Sequence, residues 1–273
     1  MSDTSYATLM HAALDVARVA GDVALRHFRT ALSIETKSDG SPVTIADRAA
    51  ERAAREWIEQ RFPDHGILGE EFGEVRADAA RRWIVDPIDG TKSFVRGVPL
   101  WGTLVALVER DGDADRVISG AAYFPAIGES LAAATGTGTW WNGKRCSVSQ
   151  VKRMEEAIVL TTDEQFRHAP ERRDAWNALA DRALFSRSWG DCYGYLLVAT
   201  GRAEVMVDGI LSAWDAAAFL PIIREAGGVL TDWTGKHTAF GGNAIATNAA
   251  IATAARRLLG ASDAEDASGT SME

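Results

Sequence analysis

An apolar run, Trp83-Ile84-Val85, delivers two carboxylates three residues apart, Asp86 and Asp89, into a turn built from Pro87 and Gly90. The run reads as a short buried strand that the Pro and Gly end. Two anions leaving a buried strand need a cation, and hard cations such as Mg²⁺ take oxygen ligands. Pro87 removes a backbone donor and stiffens the turn, while Gly90 permits a conformation that larger residues resist. Thr91 then presents a hydroxyl beside the paired carboxylates. A bare D-x-x-D would be an ordinary strand-ending turn with the acids as local caps. The complete hexapeptide is far more specific.

The rest of the sequence bounds what surrounds this stretch. At 273 residues the chain is one large or two modest domains, with ample length for a core. A formal charge of −9 argues against a nucleic-acid surface, which needs a basic patch. It does not argue against an anionic substrate, because bound divalent cations reverse the local field. Cys146 and Cys192 form neither a disulfide framework nor a zinc pattern. No apolar run approaches the roughly 18 residues of a membrane span, and no basic-then-apolar segment opens the chain. The expected location is the cytoplasm, with no membrane partner.

Helical spacing of apolar residues predicts a first helix over 5–30, on which His11 and His27 are surface residues. A polar, turn-rich loop over 37–42 leads through Val43 and Thr44 into an Ala-rich helix that stops before Pro63. Gly66-Ile67-Leu68-Gly69 is a short apolar piece delivering Glu70 and Glu71. Strands are expected over 103–108, 117–123 and 130–134, followed by a hairpin at Asn142-Gly143, the strongest short hairpin signal. Beyond a soft boundary near 150, strands over 157–160, 185–188, 203–207, 229–231 and 244–247 alternate with helices over 170–183, 193–200 and 215–226. The last of these should be kinked by Pro221 and closed by Gly227-Gly228. Asn248 should cap a final helix, and an acidic, polar tail from Ser262 should be disordered. There is no internal repeat. Mixed elements of this kind point to a layered α/β fold with mixed sheets.

The hexapeptide Asp86-Pro87-Ile88-Asp89-Gly90-Thr91 resembles the signature of the inositol-monophosphatase-like, metal-dependent phosphatases. Gly69-Glu70-Glu71 upstream and Trp214-Asp215 downstream fall in that family's order and approximate spacing. The resemblance covers residues 5 to 260. The continuation from Asp86 to Gly97 and into Pro99-Leu100-Trp101-Gly102-Thr103 is most similar to the branch that hydrolyses histidinol phosphate. The resemblance implies a layered α-β-α-β-α sandwich of the inositol-monophosphatase/fructose-bisphosphatase type. Its N-terminal half (1–150) would carry most metal ligands, and its C-terminal half (151–261) Asp215 and the specificity residues, ahead of a tail over 262–273. It also implies a homodimer.

Carried over position by position, Glu70, Asp86, Asp89, Asp215 and the carbonyl of Ile88 resemble the family's Mg²⁺ ligands. Asp47 matches an acid of a weaker metal site or of water activation. Two to three Mg²⁺ ions would roughly offset these five carboxylates, and two divalent ions can stabilise both attacking and leaving oxygens of an in-line displacement. Glu70 and Thr91 would position the attacking water, and the amides of Gly90 and Thr91 would hold phosphate oxygens. Each acid also has a plain alternative. Glu70 and Glu71 could be a solvated loop pair, and Asp47 and Asp215 could be helix caps. Their joint occurrence with the hexapeptide favours the metal site.

Substrate choice rests on Trp189-Gly190-Asp191-Cys192-Tyr193, where inositol phosphatases typically carry small hydroxyl-bearing residues. Asp191 resembles the histidinol-phosphate branch, and Asp208 matches an acidic substrate contact of the wider family. A carboxylate pairs with an ammonium or imidazolium far better than with a neutral polyol. Asp191 could instead cap its helix. Glu129, Arg187 and Trp101 are further lining candidates. Zinc hydrolysis finds no H-x-x-x-H spacing among His11, His27, His65, His168 and His237. There is no G-x-S-x-G, Gly136-Thr137-Gly138 is too short for a nucleotide loop, and Cys192 reads as a packing residue. The expected activity is Mg²⁺-dependent hydrolysis of L-histidinol phosphate in histidine biosynthesis. The alternatives are an inositol-1-phosphate, sugar or nucleotide phosphatase, and a catalytically silent binding protein that kept the fold.

Overall fold

The structure is a computed structural model and describes residues 5–31, 33–36, 42–111 and 114–265. The polar loop expected from residue 37 lies outside these up to residue 41, as does the tail beyond 265. The first helix, α1 (Tyr6–Leu25), starts where Ser5 Oγ accepts from the Thr8 amide, and its buried stripe runs from Leu9 to Ala24. A small ribbon, β1 (Ile34–Thr36) and β2 (Pro42–Thr44), feeds α2 (Ile45–Arg61). Thr44 and Asp47 form a reciprocal capping box at its start.

Then come β3 (Gly66–Gly69), β4 (Gly73–Val75), β5 (Arg81–Asp89), the short helix α3 (Thr91–Val95), β6 (Gly102–Asp111), β7 (Ala114–Phe124), β8 (Glu129–Ala134), β9 (Thr139–Trp141) and β10 (Lys144–Cys146). They form an eight-stranded sheet of order β10-β9-β8-β7-β6-β5-β3-β4. Only the β3–β5 pair within it is parallel. β9 and β10 are joined by the expected Asn142-Gly143 turn, with both residues at positive φ.

The second sheet holds β11 (Ile158–Thr161), β12 (Phe185–Arg187), β13 (Val205–Asp208), β14 (Gly228–Thr231) and β15 (Ala244–Asn248), ordered β12-β11-β13-β15-β14. Between its strands run α4 (Arg173–Arg182), α5 (Asp191–Ala199), α6 (Ala213–Ala216) and α7 (Phe219–Glu225), and α8 (Ala252–Leu259) follows. α1 and α2 cover one face of the larger sheet. α5, α6 and α7 lie between the two sheets, and α4 and α8 cover the outer face of the smaller one. This is the α-β-α-β-α order. Because the larger sheet is covered on both faces, β5 reads as an unbroken apolar run rather than an alternating one. Full burial of side chains such as Ile84 and Val85 contributes about 1.5–3 kcal/mol each.

Four local expectations change. β5 does not end at Val85: it continues through Asp89, because a register shift against β6 absorbs Pro87. The helix expected over 215–226 is two, since Pro221 cannot follow an uninterrupted first turn and instead sits near the start of α7. Asn248 Oδ1 accepts from the Ile251 amide (3.0 Å) and closes the turn leading into α8, whose own cap position is Ile251. Ser262 and Glu265, expected within a disordered tail, donate their amides to the carbonyls of Trp233 and Gly235.

Candidate metal and substrate site

In a regular strand residues three apart point to opposite faces. Between β5 and β6 the pairing passes from Asp86↔Leu104 to Asp89↔Gly102, three steps on one strand against two on the other. That bulge brings both carboxylates to one side, the positional use such irregularities commonly have. The bulge is held internally: Ile88 N donates to Asp86 Oδ1 (3.0 Å), and Thr103 Oγ1 donates to the Pro87 carbonyl (2.8 Å). Gly90 follows at φ 85°, as its place in the turn requires.

Asp215 arrives from α6, which packs on β5 and β6. It accepts from the Ser212 amide (2.7 Å) in a capping box, so it is a cap and a site residue at once. Asp86, Asp89 and Asp215 each place a carboxylate oxygen within 4.8 Å of the others. Glu70 leaves the end of β3 with its amide on the Val85 carbonyl (3.2 Å), and its charge bears on Asp86. Asp47 lies deeper. Its Oδ2 accepts from the Thr44 amide (2.8 Å) and hydroxyl (2.7 Å), and its Oδ1 lies 3.4 Å from Thr91 Oγ1. Thr91 Oγ1 also donates to the Ile88 carbonyl (2.9 Å).

A residue the sequence reading passed over shapes this corner. Glu51, fully buried, accepts from the amides of Glu71 (2.6 Å) and Phe72 (3.2 Å) and from Arg55 Nε (2.7 Å). It fixes the turn that carries Glu70. Its signal was present: Glu51 shares the inward stripe of α2 with Asp47, Ala54 and Ile58, an odd place for a carboxylate without a task.

The donor set fits a hard divalent cation. Burial first, then the charges of Glu70, Asp89 and Asp215, hold the Asp86 carboxyl well above its ordinary range. Burial, then Asp191 and Asp215, do the same to Asp89, against hydrogen bonds from Cys192. Such a cluster is stabilised by a cation with oxygen preference, the chemistry of Mg²⁺.

Asp89 and Asp215 also wall a chamber of about 130 Å³ that Asp191, Asp208, Thr162 and Tyr195 complete. Asp191, Asp208 and Thr162 continue into an outer cavity of about 540 Å³, reached also by Phe166, His168 and Lys92. Asp191 does not cap α5. It is the first residue of the helix, makes no side-chain cap bond, and sits at φ 50°. Its Oδ2 lies about where a side chain on Gly90 would reach, 3.3 Å from that ideal Cβ. Cys192 is buried as expected, but its amide donates to Asp89 Oδ2 (2.5 Å). Trp101 is buried against Phe28 and Phe94, Glu129 pairs with Arg202, and Arg187 lies over Phe185. None of these three lines either cavity.

Burial pushes Asp208 up to about 7 and Asp191 up to about 6. Raised carboxyl values mean that the folded chain binds more protons than the unfolded one between the ordinary carboxyl range and these values. Stability therefore falls as pH rises through that window. We expect the melting temperature of chelated protein to drop from pH 5 to pH 8, at about 2–4 °C per kcal/mol lost, and Mg²⁺ to flatten the slope. A calorimetric series in EDTA and in Mg²⁺ checks this, and a metal-free curve that rises over the same range would refute it.

The family model of the inositol monophosphatase family matches residues 5–267. The chain is 43% identical to the histidinol-phosphatase of Chlorobaculum parvum, over 85% of this chain and 89% of that protein. It is 34% identical to the inositol-1-monophosphatase of Rhizobium meliloti, over 84% of this chain and 86% of that one. Among solved structures, the extragenic suppressor protein suhB of Bartonella henselae superposes with a TM-score of 0.85 at 30% identity, covering 92% of this chain and 98% of that chain.

Proposed function

The chain belongs to the inositol monophosphatase family and is a phosphoric monoester hydrolase, and from that premise we propose that it cleaves L-histidinol phosphate to L-histidinol and phosphate, in histidine biosynthesis, with Mg²⁺. The observation that carries the substrate is Asp191: a carboxylate facing the Gly90 turn, at the junction of the inner chamber and the outer cavity. It meets whatever lies next to a phosphate held at the hexapeptide. A neutral polyol gains little from a desolvated anion there, whereas an ammonium or imidazolium gains a charge-assisted hydrogen bond. The 43% identity to a histidinol-phosphatase supports the same reading.

Asp86, Asp89, Asp215, Glu70 and the Ile88 carbonyl would hold the metal, two to three ions in all, with Asp47 serving a weaker position. Bound Mg²⁺ would supply charge neutralisation at the phosphate and at the departing alkoxide. The chain's own groups do the rest. The amides of Gly90 and Thr91, opening α3, orient phosphate oxygens. Glu70 and Thr91 orient the attacking water, and Thr91 is itself oriented by its hydrogen bond to the Ile88 carbonyl, with Asp47 Oδ1 3.4 Å from the same hydroxyl. Thr91 has one hydroxyl proton, which goes to the nearer Ile88 carbonyl, and its oxygen's lone pairs remain free to accept from that water.

The test is phosphate release from histidinol phosphate, inositol 1-phosphate, fructose 1,6-bisphosphate and adenosine 3′,5′-bisphosphate. We expect histidinol phosphate to give the highest kcat/KM, no turnover in EDTA, recovery with Mg²⁺ and inhibition by Ca²⁺, whose longer bonds and looser geometry misplace the reacting atoms. A preference for inositol 1-phosphate would remove the specific substrate, and full turnover in EDTA would remove the metal.

A further inference from the structure

Asp208, expected to touch substrate, has both carboxylate oxygens engaged by the protein. Oδ1 accepts from the Thr162 amide (3.2 Å) and Oδ2 from the Tyr195 hydroxyl (2.9 Å), and the side chain is buried. Thr162 follows β11 in sequence and reaches the other way with its side chain. Its Oγ1 accepts from the Asp191 amide (2.8 Å). The two backbones touch here as well: a Cβ on Gly190 would lie 2.3 Å from Thr162 Cα, so only glycine fits beside Asp191. Asp191 itself sits at φ 50°, a conformation that costs an L-residue unless its surroundings fix it.

We propose that Asp208 and Thr162 form a positioning relay, in which Asp208 fixes the Thr162 backbone, Thr162 fixes the left-handed Asp191, and selectivity for a cationic phosphomonoester is set through Asp191 rather than by contact between Asp208 and substrate. This rests on the reading above that Asp191 meets the cationic part of the substrate. The relay explains why an acid so close to the site is spent on a backbone amide. It also explains how a strained residue holds one direction without a side-chain cap. Removing the Thr162 hydroxyl leaves the Asp191 carboxylate present but free to turn, which weakens cation binding without touching the metal acids or Thr91.

The experiment compares kcat and KM for L-histidinol phosphate with those for a small phosphomonoester bearing an uncharged tail. The variants are Thr162→Val, Thr162→Ser, Asp208→Asn, Asp191→Asn and the Thr162→Val/Asp191→Asn double. Thr162 is exposed at the surface of the cavity, so its variants leave the core intact. Thr162→Val should lose about tenfold in kcat/KM on the cationic substrate, the net strength of one hydrogen bond, chiefly through KM. It should change little on the uncharged one. Thr162→Ser, which keeps the hydroxyl, should restore wild-type selectivity, and the double variant should be no worse than Asp191→Asn alone. Asp208→Asn keeps an oxygen for the Thr162 amide and should keep selectivity. The relay is overturned if Thr162→Val leaves the substrate ratio unchanged while Asp191→Asn lowers it. It is equally overturned if Asp208→Asn loses as much as Asp191→Asn, since Asp208 would then meet the substrate itself. An unchanged ratio in Asp191→Asn would bring down the substrate reading together with the relay, and is distinguishable from the other two.

Discussion

Asp89→Asn is expected to lower turnover by about a thousandfold or more, the scale of removing a preorganised electrostatic group from a reacting centre, and yet to raise the melting temperature of chelated protein. Asp89 lies beside Asp86, and burial with the charges of Asp191 and Asp215 already holds its carboxyl well above the ordinary range. Without metal, burial and neighbouring acids penalise ionisation of these carboxyls, a cost that asparagine at position 89 does not carry. The fold should survive. Asparagine keeps an oxygen for the Cys192 amide and roughly the same volume. With Mg²⁺ the order should reverse, because the wild type gains more from the ion than the variant does. Phosphate release and melting curves, each with Mg²⁺ and with EDTA, give four numbers. A variant within tenfold of wild-type turnover, or one less stable than wild type in EDTA, contradicts the placement of Asp89 as a ligand.

Asp191→Asn should divide the substrates rather than stop the reaction. A hydrogen bond to a charged group is worth about 1.5–3 kcal/mol, so kcat/KM for histidinol phosphate should fall ten- to a hundredfold. Hydrolysis of a phosphomonoester with an uncharged tail should change little, since the metal acids and Thr91 are untouched. Asparagine is the apt replacement because it too tolerates positive φ, where Asp191 sits, while alanine would add backbone strain to the loss of charge. A general disturbance of α5 would lower both activities together. Equal losses on the two substrates would therefore leave a phosphatase whose selectivity lies elsewhere.

Much of this was legible in the residues. The order of helices and strands, the Asn-Gly hairpin and the layered class follow from period, turn chemistry and alternation. Asp86 and Asp89 stood out because acids leaving a buried strand need a partner, whereas Asp215, by its residues alone a helix cap, was found through the family resemblance of Trp214-Asp215. What the sequence hid is local and long-range at once. The bulge at Pro87 depends on the pairing with β6, so proline read as a strand end when it is a strand irregularity. Asp191 opens α5 because Thr162, 29 residues earlier, takes its amide, and nothing in the helical pattern from 193 onward shows that. Glu129, Arg187 and Trp101 looked available for the site by residue type alone, and their ion pairs and ring contacts draw them elsewhere. Glu51 was the one omission that period could have prevented, since its place on the inward stripe of α2 was readable beforehand.

The tie between the Cys192 amide and Asp89 joins residues 103 apart in the chain, one on the larger sheet and the other at the start of a helix that packs on the smaller one. A contact of that span closes a long loop, whose entropy cost must be met before the contact can contribute. In a nascent chain Glu70, Asp86 and Asp89 emerge well before Cys192 and Asp215, and before the helices α6 and α7 that cover β5 to β8. Its carboxylates cannot become a working centre until the second half docks. With the metal held as proposed, a fragment that stops short of α6 lacks Asp215 and is expected to be silent, so that activity would report completed synthesis and folding.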